Sequence, residues 1–262
     1  MPDMAGPLTR RMRKRAATRE EITQTARRLL VEQGPEAASL RAIAREMGMT
    51  APGLYRYYDS REELLRHVIA EIFRELAACI REAIEAAVDP LAPPADARER
   101  MSRKFVAACQ EFRRWAVTHK EEFGLLFGFP VPGLAYEGSQ DIADQSALEF
   151  TATFYVLFLE LWDEQPFPVP AEPEIDPALR PQLERFRAKL GASIPAGAAL
   201  VFLRCWVLLY GALAMEVFGH LNFALDDSAP MFEVTISELA SRVGLTYPWP
   251  GMAGPASGAA AS

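Results

Sequence analysis

Almost every extended segment of the chain sets apolar residues three and four positions apart, the spacing that places them on one face of a helix. No stretch sustains the alternation of apolar and polar residues, bounded by turn residues, that a strand requires. The pattern predicts an all-α protein. A first helix is expected over about 18–33, where Thr18 and Glu21 have capping-box spacing, Ile22, Ala26, Leu29 and Leu30 form the inner face, and Gly34-Pro35 stops the run. Ser39 caps a short helix through Met47, and Thr50 caps another from Ala51 to Tyr57. Ser60 with Glu63 opens a fourth helix that continues to about Ala87, where Asp89-Pro90 and Pro93-Pro94 end it. Helical periodicity returns over about 95–119, 121–127, 139–165, 178–190, 195–220 and 229–243, separated by Pro/Gly-rich loops at 128–138 and 166–177. Residues 1–7 and 248–262 have the composition of disordered ends.

Charge divides the chain unevenly. The net is −7, yet residues 1–61 carry 12 Lys/Arg against 7 Asp/Glu, a net of +5, which leaves −12 on the remainder. One end is therefore built for an anion. The run Arg10-Arg11-Met12-Arg13-Lys14-Arg15, with no acidic residue between Arg10 and Arg19, reads as an arm that follows a phosphate backbone or enters a minor groove.

The segment 39–61 supplies the matching recognition chemistry. Ile43 and Ala44 lie on the second helix, Met47-Gly48-Met49 forms a turn, and Leu54 lies on the third helix. Ala44 permits close crossing, Gly48 permits a left-handed turn, and Ile43, Met47 and Leu54 plug the space between the helices. In such a helix-turn-helix the second helix enters the major groove by its N-terminal end, here Thr50-Ala51-Pro52-Gly53. Tyr55, Arg56 and Tyr57 are expected outward, where they can reach phosphates or bases, with Leu54 and Tyr58 turned inward.

The sequence Ile43-Ala44-Arg45-Glu46-Met47-Gly48, followed by Leu54-Tyr55-Arg56-Tyr57-Tyr58-Asp59-Ser60-Arg61-Glu62-Glu63-Leu64-Leu65, resembles the DNA-binding head of the TetR family over about residues 15–66. Tyr58 stands where the family commonly has Phe, and Arg61 where it has Lys. The resemblance implies backbone contacts by Ser39, Arg41, Thr50, Tyr55, Tyr57 and Arg61, and base readout by some of Thr50, Ala51, Pro52, Gly53 and Arg56. Pro52-Gly53 removes long side chains from positions often used for base contacts. It further implies a head over 15–66, a ligand-binding and dimerisation body over 67–245, and a disordered arm and tail at 1–14 and 246–262. Leu203 to Gly211, continuing to Glu216, is similar to a WHG-type C-terminal domain, with Tyr210 where histidine is usual.

The body is rich in aromatic residues. Phe150, Phe154, Phe158 and Trp162 recur every fourth residue, and Phe105, Phe112, Trp115, Phe123, Phe127, Phe202 and Trp206 add more ring surface. Each ring singly suits plain core; the set suits a cavity for a small apolar or aromatic ligand. The expected lining is Phe105, Trp115, His119, Phe123, Phe127, Phe150, Phe154, Phe158, Trp162, Phe202 and Trp206, with His119, Glu149, Glu160, Arg204 and Glu216 as candidate polar anchors. By the resemblance, the last two long helices pair two copies across a two-fold axis, and ligand resets the spacing of two heads on a palindromic operator in double-stranded DNA. A repressor released by its effector is expected, with an activator equally compatible with the residues.

Other chemistries find little support. His67, His119 and His220 are dispersed, Cys79, Cys109 and Cys205 have no metal-ligand spacing, and no phosphate loop or nucleophile elbow occurs, so neither an enzyme, a metal nor a cofactor is expected. The cysteines read as reduced core residues. The apolar run 196–218 carries Arg204 and Glu216, and a charge near a span centre costs roughly 2.5–3.5 kcal/mol, so a buried helix is expected rather than a membrane span. The basic N-terminus runs into a charged amphipathic helix, unlike a signal peptide, which makes the expected compartment the cytoplasm.

Overall fold

A computed structural model describes residues 9–34, 38–88, 96–128, 142–191 and 193–247, and all the statements below concern those residues. They form ten α-helices and no strand. The helices are α1 (Arg10–Gln33), α2 (Leu40–Glu46), α3 (Ala51–Leu54), α4 (Arg61–Ala86), α5 (Ala97–Thr118), α6 (Lys120–Phe127), α7 (Ile142–Glu164), α8 (Arg180–Leu190), α9 (Ala196–Val217) and α10 (Ala229–Arg242). The all-α expectation holds, and most ends fall within a few residues of the predicted ones.

The start of α1 differs. It begins eight residues before Thr18, with Thr9 Oγ1 accepting from the Met12 amide at 3.3 Å. Thr18 is thus inside the helix and donates its hydroxyl to the Lys14 carbonyl at 3.0 Å instead of capping. The cause is local: Arg10–Ala17 contains only Arg, Lys, Met and Ala, all strong helix formers, and no breaker. Residues 10–14 of the expected arm are therefore helical, whereas 1–8 lie outside the described residues. Residues 129–141 and 248–262 likewise lie outside the described residues, whereas Thr246 and Tyr247 of the expected disordered tail are held by hydrogen bonds to α5 and α10.

The chain divides into two compact units, one of residues 1–74 and 121–148, the other of 75–120 and 149–262. In the first, α1 to α3 and the start of α4 close over Ile22, Ala26, Leu29, Leu40, Ile43, Leu54, Leu64 and Val68, all buried. Each such side chain contributes about 1.5–3 kcal/mol on leaving water, enough in sum to hold helices as short as α2 and α3. In the second unit α9 packs on α5, α8 and α10. Glu216 of α9 receives two hydrogen bonds from the Arg113 guanidinium of α5, at 2.6 and 2.9 Å. The pair holds the arginine above its ordinary pKa, chiefly through those bonds. The apolar α9, long enough by composition to span a membrane, thus carries an ion pair to a neighbouring helix of its own unit.

Candidate nucleic-acid interface and apolar cavity

Three hydroxyls set the geometry of the first unit's recognition end. Ser39 Oγ accepts from the Ala42 amide at 3.2 Å, Thr50 Oγ1 from Gly53 at 3.2 Å, and Ser60 Oγ from Glu63 at 3.0 Å. Glu63 completes the last cap by accepting from the Asp59 amide at 2.6 Å. Between α2 and α3 the chain turns at Gly48, φ +63°, with the Met49 amide donating to the Ala44 carbonyl at 2.8 Å. Ile43 and Leu54 are fully buried on either side of that turn.

The N-terminal end of α3 is open to solvent. Thr50 and Pro52 are exposed, and Ala51 and Gly53 are half-buried. A Cβ at Gly53 would stand 3.1 Å from Thr50 Oγ1, so glycine there leaves room for the cap. Tyr55 and Arg56 are exposed and Tyr57 is half-buried, while Tyr58 is buried with its hydroxyl 2.7 Å from Thr23 Oγ1. Arg41 is exposed on α2, and Ser39 is half-buried. Arg61 sits at the start of α4 and donates Nε to the Ala38 carbonyl at 3.1 Å, so part of its guanidinium ties α4 to the loop before α2.

Charge collects on the same unit. Arg10 to Arg15 are exposed along the first turns of α1, and Arg15 donates to the Arg56 carbonyl at 3.2 Å, which links the basic turns to the end of α3. Arg19 bonds His67 Nε2 at 2.9 Å and the Glu63 carboxylate at 3.3 Å, and lies over the Tyr58 ring. Arg27 of α1 places Nε and an NH2 on Glu122 of α6, at 3.3 and 3.2 Å. These long-range ties have no periodic or motif signal, which is why the sequence reading missed them.

The second unit holds an apolar cavity. Its walls are Met101, Phe105 and Cys109 of α5, Phe154, Leu157, Phe158 and Leu161 of α7, and Phe202, Cys205, Trp206 and Leu209 of α9. Leu239 of α10 and Val243 and Leu245 beyond it complete the lining. It contains about 40 Å³ of free space, against roughly 300–1,000 Å³ for ligand-holding pockets. No charged side chain lines it. Burial pushes the Cys205 thiol up to about 11 and the Cys109 thiol higher still, so both stay protonated and act as small apolar groups.

Five of the expected aromatic residues, Phe105, Phe154, Phe158, Phe202 and Trp206, meet on this wall. The other six are not on it. Trp115 stacks on His119 at 4.9 Å, and His119 Nδ1 lies 3.0 Å from the Trp115 carbonyl at the end of α5. Phe123 is buried beside Phe127, which meets Phe73 edge-on at 5.7 Å. Phe150 packs on Phe112 at 5.3 Å, and Trp162 on Phe167 at 5.1 Å. Among the polar candidates, Glu160 pairs with Lys104 and Glu216 with Arg113, while Arg204 and Glu149 are exposed. The aliphatic half of the wall escaped a reading based on rings, though Met101, Phe105 and Cys109 at four-residue spacing carry the same stripe.

A helix-turn-helix with an open recognition helix, next to basic helical turns, defines a DNA-binding regulator of transcription. Residues 22–68 match the family described as bacterial regulatory proteins, tetR family, and 105–239 match the tetracyclin repressor-like C-terminal domain. The chain belongs to the TetR family. It is 30% identical over 228 residues to the HTH-type transcriptional regulator Rv1816 of Mycobacterium tuberculosis, covering 81% of this chain and 87% of that one. The regulator Mb1846 of Mycobacterium bovis matches to the same extent. Among solved structures, SCO4313, described as a regulatory protein, is 30% identical with a TM-score of 0.65, over 89% of this chain and all of that one. A protein from Rhodococcus sp. RHA1 shares the fold at 20% identity and a TM-score of 0.56, over 87% of this chain and 95% of that one. Rv1816, Mb1846 and SCO4313 are named as regulators rather than enzymes, and the match over 105–239 carries the family without carrying the WHG subtype.

Proposed function

We propose that the chain is a repressor that binds a palindromic operator as a homodimer and is released by a small, apolar or aromatic effector. The observation that carries the DNA half is the capped, solvent-open end of α3 with Tyr55 and Arg56 exposed beside it. In this reading Ser39, Arg41, Thr50, Tyr55, Tyr57 and Arg61 hold phosphates. Thr50 to Gly53 and Arg56 approach the bases, with Pro52 and Gly53 giving close fit rather than hydrogen-bonded readout.

Pairing of two copies is supported by α9 and α10. Val207, Gly211 and Met215 of α9 and Phe218 at its C-cap follow one another at four-, four- and three-residue spacing, and Val207 is 65% exposed. A Cβ at Gly211 meets nothing within 4 Å, leaving room for a second backbone, and α10 exposes Met231 and Val234. Apolar stripes of this length favour a protein partner. The apolar cavity is the effector site of this reading. Effector and operator then each bias one equilibrium of head spacings, with a coupling of about 1–3 kcal/mol. A regulator of this kind works in the cytoplasm, on the chromosome.

Selection of binding sequences from random duplex DNA tests the proposal, followed by titration of the winner with Tyr55→Ala and Arg56→Ala. An enriched palindrome that both variants bind at least tenfold more weakly is expected. Equal, weak binding to every duplex, insensitive to both changes, would overturn it.

A further inference from the structure

Free space of about 40 Å³ admits no effector of ordinary size, so some wall of the cavity must move. Three walls are cross-tied by charge and by rings. α5 is held to α9 by Arg113 and Glu216 and to α7 by Arg100–Glu164 at 2.6 Å and by Lys104–Glu160. Phe158 meets Phe202 edge-on at 5.3 Å across α7 and α9. The fourth wall is different. Val243 and Leu245 belong to an irregular segment that follows α10, and the turn between them is Gly244, at φ +72°.

Neutral donors hold that segment down. The Thr246 amide donates to Ser102 Oγ of α5 at 3.3 Å, and Ser237 Oγ of α10 donates to the Tyr247 carbonyl at 3.2 Å. The Tyr247 hydroxyl donates to the Glu233 carboxylate of α10, and Gln110 of α5 donates to the same hydroxyl at 3.4 Å. Burial, and then the bond to Glu233, push the phenol up to about 12, so it stays a donor at every physiological pH.

We propose that Gly244–Tyr247 is the gate of the cavity, with Tyr247 as its catch, and that it admits an uncharged apolar molecule. The inference rests on the cavity being the effector site. Swinging the segment about Gly244 releases the Leu245 amide from the Ala240 carbonyl, 2.9 Å away, and withdraws Leu245 from the wall without breaking any of the three ion pairs. The lining offers a ligand no charged group and is almost wholly hydrocarbon and aromatic, which sets its class.

Cys109 and Cys205 on the wall and Cys79 away from it are built-in reporters. The full-length protein is treated with dithiodipyridine, a neutral aromatic disulfide, and modification is followed at each cysteine by mass spectrometry. Tyr247→Phe is expected to speed Cys109 and Cys205 about tenfold, the factor that loss of one charge-assisted hydrogen bond gives, and to leave Cys79 unchanged. Ser102→Ala should act in the same direction. Unchanged rates, or equal acceleration at all three thiols, would overturn the gate.

Phenylnaphthylamine, a neutral apolar probe, separates the two ideas. If it protects both thiols in the wild type while Tyr247→Phe changes nothing, the gate falls and the effector site stands. If Tyr247→Phe accelerates both thiols and the probe protects neither, the gate stands and the effector site falls. Hydrogen exchange of the wild type needs no variant: the Thr246 amide should exchange faster than the amides of α9, and equal rates would mean that the segment opens only with the whole unit.

Discussion

Gly53 and Thr50 share one small space. The threonine hydroxyl caps α3, and any side chain at position 53 begins 3.1 Å from it. Gly53→Ala should therefore cost about 1 kcal/mol, the usual worth of a cap, despite alanine being the better helix former. Thermal unfolding checks this, and a stabilised variant would show that the hydroxyl moves aside freely. His67 offers a second test. Its Nδ1 faces the Glu63 carbonyl at 2.9 Å and its Nε2 faces the Arg19 guanidinium at 2.9 Å. A carbonyl can only accept and a guanidinium can only donate, so the ring is the neutral form with its proton on Nδ1. Nitrogen NMR at neutral pH should find Nδ1 protonated and Nε2 bare; the reverse tautomer would put two donors face to face and refute the arrangement.

The helices differ in how far the sequence revealed them. α2, α3 and α4 were legible because each begins with a hydroxyl residue followed by apolar residues at helical spacing, and Ser39, Thr50 and Ser60 all cap as expected. α1 misled because Thr18 and Glu21 have the spacing of a cap inside a run with no breaker, and helix propensity overrode the motif. The exposed face of the recognition end followed from periodicity, whereas Arg15–Arg56 and Arg27–Glu122 join residues far apart in sequence and leave no local pattern. α6 is the element most dependent on such a tie. Glu122 is 7% exposed and Arg27 supplies its charge partner from α1. Arg27→Ala should lower stability by about 2 kcal/mol, below the 3–5 of a fully buried pair since Arg27 keeps some contact with water. Denaturant melts measure the loss, and Glu122→Gln in the Arg27→Ala background should restore part of it by removing the stranded charge. No recovery in the double variant would mean that Arg27 acts by packing alone.

For the whole protein, charge and apolar surface are assigned to separate tasks. Residues 1–61 carry the positive excess, so affinity for a duplex should fall steeply with salt, and Arg11→Ala with Arg13→Ala should flatten that slope by about 2. Fluorescence anisotropy across a salt series measures the slope, and an unchanged one would remove the basic turns of α1 from the interface. Apolar area exposed on α9 and α10 is given to self-association. Val207→Arg should yield monomers in light scattering and abolish cooperative operator binding, while a dimer of normal mass would place the pairing surface elsewhere.

The nearly filled cavity also has a mechanical consequence. A cavity that holds about 40 Å³ of free space leaves little empty volume to be lost from its interior when the chain unfolds. Compression favours the smaller partner in any equilibrium. Hydrostatic pressure should accordingly gain little from this cavity when it unfolds the protein, whereas Phe154→Ala, which enlarges it, should unfold at lower pressure.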